Sequence, residues 1–322
     1  MTAPWITYRP ELKVLDCTIR DGGLVNDHHF DDDFVKAVYT ACAEAGIDYM
    51  ELGYKNSKKL FPKSDFGPWK HCDEEDIRRI VGENDTPLKL TVMCDAGKSD
   101  WKTDVLPAED SVLDMVRVAF YCHQVSEAVD MIHDATEKGY EVSANLMAVS
   151  TATENEIDQV LEVLAGTPAQ VVVVVDSFGS LYAEQIEILV KKYLEFGKET
   201  NKEVGVHAHN NQQLAFANTI EGIIHGANRL DASMMGLGRG AGNCPMELLI
   251  GFLRNPKFKI RPIYQVLQDR LLPLSREVEW GPLVQYNITG QLNEHPRDAI
   301  AARKGDQRDD YVVFYDQLTS DV

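Results

Sequence analysis

The chain has 322 residues, of which 44% are hydrophobic and 26% charged, and it carries a formal net charge of −19. The composition is that of an ordinary globular protein. A field of that sign repels nucleic acid and anionic lipid, so both are excluded as expected partners.

In chain order, short β-branched runs alternate with amphipathic stretches. The runs are "KVLDCTI", "YMELGY", "LKLTVMC", "MVRVAFY", "YEVSANLMAV", "AQVVVVVD", "EVGVHAH" and "RLDASMM". After Asp32, the residues Val35, Val38, Tyr39 and Cys42 form one helical stripe that Gly46 stops. The segments after "LGYKNS" and "VMCD" carry weak helical patterns, and 97–110 reads mostly as loop. Thr153 and Glu156 form a capping-box pattern ahead of Ile157, Val160, Leu161 and Leu164. A stripe through Ile186, Leu189, Val190 and Tyr193 is expected to end at Gly197, and another runs through Leu214, Ala217, Ile220 and Ile224. Eight continuous apolar strands alternating with helices predict an α/β fold, a TIM (β/α)8 barrel, over residues 1–255. A doubly wound open sheet is the alternative. Residues 256–322, beginning after "RNP", read as a C-terminal helical extension packed on the barrel and broken at Pro262 and Pro273.

The cysteines at 17, 42, 72, 94, 122 and 244 include no C-x-x-C pair and several lie in apolar runs, which predicts buried free thiols in a reducing compartment. The opening "MTAPWITYRPEL" lacks the apolar stretch of a signal peptide, and the longest apolar run, "QVVVVVD", is too short for a bilayer. A cytoplasmic protein is expected.

In a barrel the active site is built at the C-terminal ends of the strands. The polar groups there are Arg20 and Asp21 on strand one, with Asp16, Thr18 and Arg20 on one strand face, then Glu51, Asn145, Asp176, Ser177, His207 and His209, and Asn243 in "GLGRGAGN". His207-x-His209 on a strand points both imidazoles the same way. Neutral imidazoles sharing a small interior are satisfied by a metal ion, and Asp21, two strands away around a closed barrel, can supply the anionic ligand. A solvent-facing pair and ordinary core histidines are the alternatives. Arg20 and Glu51 read as an ion pair at the barrel mouth that leaves guanidinium donors free for an enolate or carboxylate. The glycine-rich loop matches a dinucleotide fingerprint but stands at the end of the alternating series, where that fold does not place it. It is read instead as letting backbone pass close to the site, with Asn243 facing it.

Together, "DCTIRDGG", "ELG", "HAHN" and "GRGAGN" resemble the DRE-TIM metallolyase (HMGL-like) superfamily from Val14 to Leu249, and most closely its 4-hydroxy-2-oxovalerate aldolase-like branch. The resemblance implies a metal-dependent carbon–carbon lyase working through the enolate of a 2-oxo acid. Asp21, His207 and His209 would hold a divalent metal, Mn2+ or Mg2+ with Zn2+ as the alternative, and Asn243 would be a further ligand or stand just behind it. Arg20 would stabilise the enolate, Glu51 would orient Arg20 or relay protons, and Ser177 would meet the substrate carboxylate. The partners implied are a small 2-oxo acid and an aldehyde; a homo-oligomer is compatible with the sequence. The chain departs from the branch at Leu24, where a histidine base is expected. His28 and His29 are the candidate replacements, and Tyr286 is the candidate for the tyrosine that the branch draws from its C-terminal region. No segment is recognisable as the domain that holds a partner dehydrogenase, which argues against an aldolase–dehydrogenase channel. A condensing synthase using an acyl-CoA and a metal-binding barrel without catalysis are the rival readings.

Overall fold

In a computed structural model, which describes residues 9–306 and 308–320, eight parallel strands close into a barrel in simple chain order. They are β1 Lys13–Asp16, β2 Tyr49–Tyr54, β3 Lys89–Asp95, β4 Met115–Phe120, β5 Glu141–Leu146, β6 Val171–Asp176, β7 Glu203–Ala208 and β8 Arg229–Ala232. β1 pairs with both β2 and β8, which excludes the open sheet. The strands are buried on both faces, so their sequences read as unbroken apolar runs. Alternate residues divide between two cores. Val14, Met50, Leu52 and Val172 join the large layer between sheet and helices, whereas Leu15, Tyr49, Met115, Val171, Val173 and Val175 meet inside the barrel.

The N-terminal end of the barrel is closed by ion pairs. Arg229 reaches Glu141 and Glu203, Lys89 reaches Glu141 at 3.0 Å, Lys13 reaches Glu203 at 3.2 Å, and the Tyr49 hydroxyl donates to Glu141 at 2.9 Å.

The helices follow their caps. Asp31 accepts from the Phe34 amide to start Asp32–Ala45, and Gly46 ends it in the left-handed region at φ 74°. The Thr153–Glu156 capping box starts Glu154–Ala165. Three expectations are corrected. Strand one ends at Asp16, and Thr18–Gly22 is a short helical turn, so Arg20 and Asp21 do not extend a strand face. Asp16 shares its parity with the outward Val14, and its carboxylate accepts from the Thr18 amide and hydroxyl. The helix expected to end at Gly197 runs on through Ala183–Thr200 and is capped by Asn201; a side chain at 197 would lie 2.6 Å from the Lys202 carbonyl oxygen. The helix Ala215–His225 buries Ala215, Asn218, Thr219, Gly222 and Ile223, not the larger stripe, and Ile224 is exposed. Close approach of Gly222 to Val206 and a 2.7 Å hydrogen bond from Asn218 to the Leu181 carbonyl select that face.

After the helix Met246–Leu253, Arg254 takes a left-handed conformation. Pro262 lies in the first turn of the helix Ile260–Val266, where its missing N–H costs nothing, so it does not break that helix. Pro273 follows a π-helical turn, Leu267–Leu271. Helices Val284–Gln291, Arg297–Lys304 and Tyr311–Thr319 share a small apolar core of Tyr286, Ile288, Ala299 and Phe314 with Ala241 of the glycine-rich loop. All six cysteines are free thiols. Among the described residues no helix is long and apolar enough to cross a membrane. The first eight residues of the opening segment, read above as no signal peptide, lie outside the described residues.

Candidate active site

At the C-terminal mouth of the barrel, Asp21, His207 and His209 bring one ligand atom each within 4.8 Å of one another, and all three are buried. His207 ends β7's inward row, and its ring stands at 5.1 Å from that of His209, nearly perpendicular to it. Asp21 arrives on the helical turn after β1. Its Oδ1 accepts the Arg239 amide at 3.0 Å and its Oδ2 accepts Arg20 at 2.5 Å. Burial acts to raise the Asp21 pKa, but Arg20 and the two imidazoles outweigh it and hold the carboxyl well below the usual range.

His207 is oriented from behind. Its Nδ1 lies 3.0 Å from Asp231 Oδ2 on β8, which fixes a proton on Nδ1 and turns Nε2 toward Asp21 Oδ2 at 3.5 Å; burial disfavours the imidazolium, but hydrogen bonds to Asp21 and Asp231 push the His207 pKa up. His209 Nε2 lies 3.7 Å from the same oxygen, and burial keeps this imidazole well below its ordinary pKa, hence neutral. A cation standing between the Asp21 carboxylate and the imidazoles would take the place of the proton shared between His207 and Asp21. Asn243 is aligned with His209 by an antiparallel bridge, and among the described residues its buried Oδ1 has no hydrogen-bond donor. A side chain at Gly238 would strike Asn243 Nδ2 at 2.1 Å and Asp21 Oδ1 at 2.9 Å, which explains why glycine carries the loop over the site. The donor set of one carboxylate, two imidazoles and an amide oxygen fits a divalent cation.

Around this cluster lies a buried ionic network. Arg20 Nε donates to Glu51 Oε2 at 2.7 Å, and Arg117 Nη1 reaches the same oxygen at 3.0 Å. Arg117 Nη2 also reaches Asp231 Oδ2 at 2.5 Å and Asn145 Oδ1 at 3.0 Å. Burial opposes ionisation of Asp231, yet Arg117 and His207 bring its pKa down to about 2. Arg117 therefore ties the residue that holds Arg20 to the residue that orients His207.

Arg20, Asp21, Arg117, Asn145, His207 and His209 line a cavity of about 60 Å3, together with Leu24, Tyr54, Met93, Ala119, Met147, Ser177 and Arg239. Ser177 Oγ accepts the Ala148 amide at 2.7 Å, and its carbonyl accepts Arg239 at 2.5 Å. A larger hollow of about 500 Å3 lies behind the glycine-rich loop, lined by Asn210, Asn243 and the segment 275–282; the two imidazoles and Asp21 line the smaller cavity instead.

The remaining candidates fall elsewhere. His28 is buried, both its ring nitrogens lack a partner among the described residues, and it meets the Tyr54 ring edge-on at 5.4 Å, but the cavity wall at this corner is Leu24 and Tyr54. His29 is exposed on the surface loop, with Nε2 3.3 Å from the Asp65 carbonyl. Tyr286 packs beneath Gly240 in the C-terminal core and does not line the cavity.

Arg117, Asp231, Arg239 and Tyr54 were not singled out from the sequence as site residues. A lone arginine inside "MVRVAF" and a lone aspartate inside "RLDA" were the available signals, since a charge in a buried strand requires a partner.

A closed (β/α)8 barrel whose mouth gathers a carboxylate, two imidazoles and an arginine-bearing ionic network defines an enzyme with a candidate metal centre. The chain belongs to the HMGL-like family, whose model matches residues 11–268. It is 28% identical to 4-hydroxy-2-oxovalerate aldolase 1 of Mycobacteroides abscessus over 75% of this chain and 66% of that protein. It is 30% identical to an oxaloacetate decarboxylase of Mycobacterium tuberculosis over 75% of this chain and 69% of that one. The chain thus spans about two thirds of the length of these curated relatives. Among solved structures, the N-terminal domain of a candidate aldolase from Bacteroides vulgatus superposes with a TM-score of 0.74 at 26% identity, covering 90% of this chain and 96% of that one.

Proposed function

We propose that the protein is a divalent-metal-dependent aldolase that makes or breaks a carbon–carbon bond through the enolate of a pyruvate-type 2-oxo acid, with a 4-hydroxy-2-oxo acid as substrate. The observation that carries this reading is the convergence of Asp21, His207 and His209 beside Arg20 in one small cavity. A cation held by these three residues and Asn243, Mn2+ or Mg2+ ahead of Zn2+, would supply Lewis acidity to the 2-oxo group. Arg20 has Nε committed to Glu51 and Nη1 to Asp21 and still lines the cavity, which supports Nη2 as the donor for charge that develops on the enolate oxygen. A donor so placed is commonly worth about 2.7–4 kcal/mol of transition-state stabilisation. Glu51 fixes the plane of that guanidinium, and Ser177, Asn145 and Arg239, which also line the cavity, offer polar groups for the carboxylate.

Decarboxylation of a 2-oxo diacid is a second reading, favoured by Leu24. Loss of CO2 yields the same enolate without removing a proton from a substrate hydroxyl. The test is pyruvate release from a panel of 4-hydroxy-2-oxo acids and from oxaloacetate, with Mn2+ and after EDTA treatment. Metal-dependent release from the hydroxy acids is expected; equal activity in metal-stripped protein would overturn the metal-dependent reading.

A further inference from the structure

We propose that Tyr54 is the proton-carrying catalytic residue of this site, in the place left by Leu24; the proposal rests on the enolate reading above. Strand parity argues against a role for Tyr54, because Glu51 faces the barrel interior and a residue three positions on faces out. The register shows how parity is broken. Glu51 pairs with Thr91 and Tyr54 with Met93, so three steps along β2 match two along β3, and the extra residue is a bulge. Bulges near active sites re-aim side chains. Here the bulge turns Tyr54 onto the face of Met93 and Ala119, at the cavity wall beside Leu24.

Elimination leads to the same residue. Of the ionisable side chains lining the cavity, the arginines stay protonated and Asp21, His207 and His209 form the ligand set. Tyr54 remains. Its side chain is buried and lines the cavity. The Arg20 guanidinium stands 5.9 Å and the Lys70 ammonium 4.8 Å from the ring centroid, so two cations offset the charge left when the hydroxyl gives up its proton. Burial pushes the phenol above its ordinary pKa, so the group rests protonated.

In the addition direction the enolate carbon attacks the aldehyde carbon, the carbonyl π pair moves to oxygen, and the Tyr54 proton passes to that alkoxide. The phenolate is reset by taking a proton from C3 of the next 2-oxo acid, which forms the next enolate. One proton thus travels from C3 to the new hydroxyl per turnover, and cleavage is the reverse.

The test is deuterium exchange into the methyl group of pyruvate, followed by NMR with Mn2+ present, in wild type and Tyr54→Phe. The variant is expected to lose about 10²–10⁴-fold in exchange rate while Mn2+ affinity, read by calorimetry, stays within about threefold. Adding Leu24→His to Tyr54→Phe is expected to recover exchange, which a structural role for the ring would not allow. Exchange in Tyr54→Phe at the wild-type rate would overturn the proposal and leave the enolate reading standing. Loss of exchange together with loss of Mn2+ affinity would also overturn it, by making the ring structural. Absence of exchange in the wild-type protein would instead bring down the enolate reading and this proposal with it.

Discussion

Asp231→Asn isolates the orientation of His207. Asp231 Oδ2 accepts from His207 Nδ1 at 3.0 Å and from Arg117 at 2.5 Å. Asparagine has one oxygen to offer. If that oxygen takes the place of Oδ2 it still accepts from both His207 and Arg117, but without the negative charge that strengthens both bonds. If the amide flips, its nitrogen faces both: the imidazole proton shifts to Nε2, the lone pair a cation would need is lost, and Arg117 loses a hydrogen bond to a charged group, a loss of about 1.5–3 kcal/mol. The cheaper of these sets the penalty, so Mn2+ should bind about 10–100-fold more weakly, in line with the loss usual for partners of metal-bound histidines. Calorimetry with Mn2+ measures the affinity, and a thermal melt without metal shows whether the fold is retained. Mn2+ affinity within about threefold of wild type would refute the reasoning.

Three further outcomes are expected. Saturating Mn2+ at a hundred times its Kd should stabilise the protein by about 2.7 kcal/mol, seen as a rise in Tm that Asp21→Asn abolishes. Lys70 is buried against Tyr54, Phe61 and Phe66, and burial brings its pKa down from 10.5 to about 8. The unfolded chain therefore binds the extra proton between those values, so stability rises with pH across that window. Lys70→Met should raise stability at pH 7 by about 1–2 kcal/mol, since cation–π contacts return part of the burial penalty, and urea melts should show the gain vanishing above about pH 10. Gly197→Ala should lower stability by about 1–3 kcal/mol, opposite in sign to helix propensity, because the new methyl meets the Lys202 carbonyl; a higher Tm would show that the turn yields freely.

Much of this molecule was legible in its sequence, for reasons that differ by element. All eight runs form strands because a parallel barrel buries both faces, and burial on both faces writes continuous apolar sequence. His207 and His209 were legible because strand period fixes their common direction. The helix over residues 215–225 was misphased because close packing against the sheet there selects small and hydrogen-bonded residues over large apolar ones. Tyr54 was hidden by the same periodicity that exposed the histidines: one inserted residue reverses every inference from parity. Gly53 was the available hint, since an isolated glycine in a strand often marks a bulge. The roles of His28, His29 and Tyr286 depended on a three-dimensional question, which side chains reach the cavity wall, that spacing alone does not answer.

The layer of Glu141, Arg229 and Glu203 seals one end of the barrel, so whatever enters at the mouth also leaves by it. On the proposed aldolase reading, a 2-oxo acid held at the buried imidazoles would be the last fragment to depart, and an aldehyde nearer the rim the first. Steady-state kinetics of cleavage would follow an ordered release, with the 2-oxo acid a competitive product inhibitor and the aldehyde a noncompetitive one. Synthesis would load the two in the reverse order, so that the acceptor finds its nucleophile already seated beneath it.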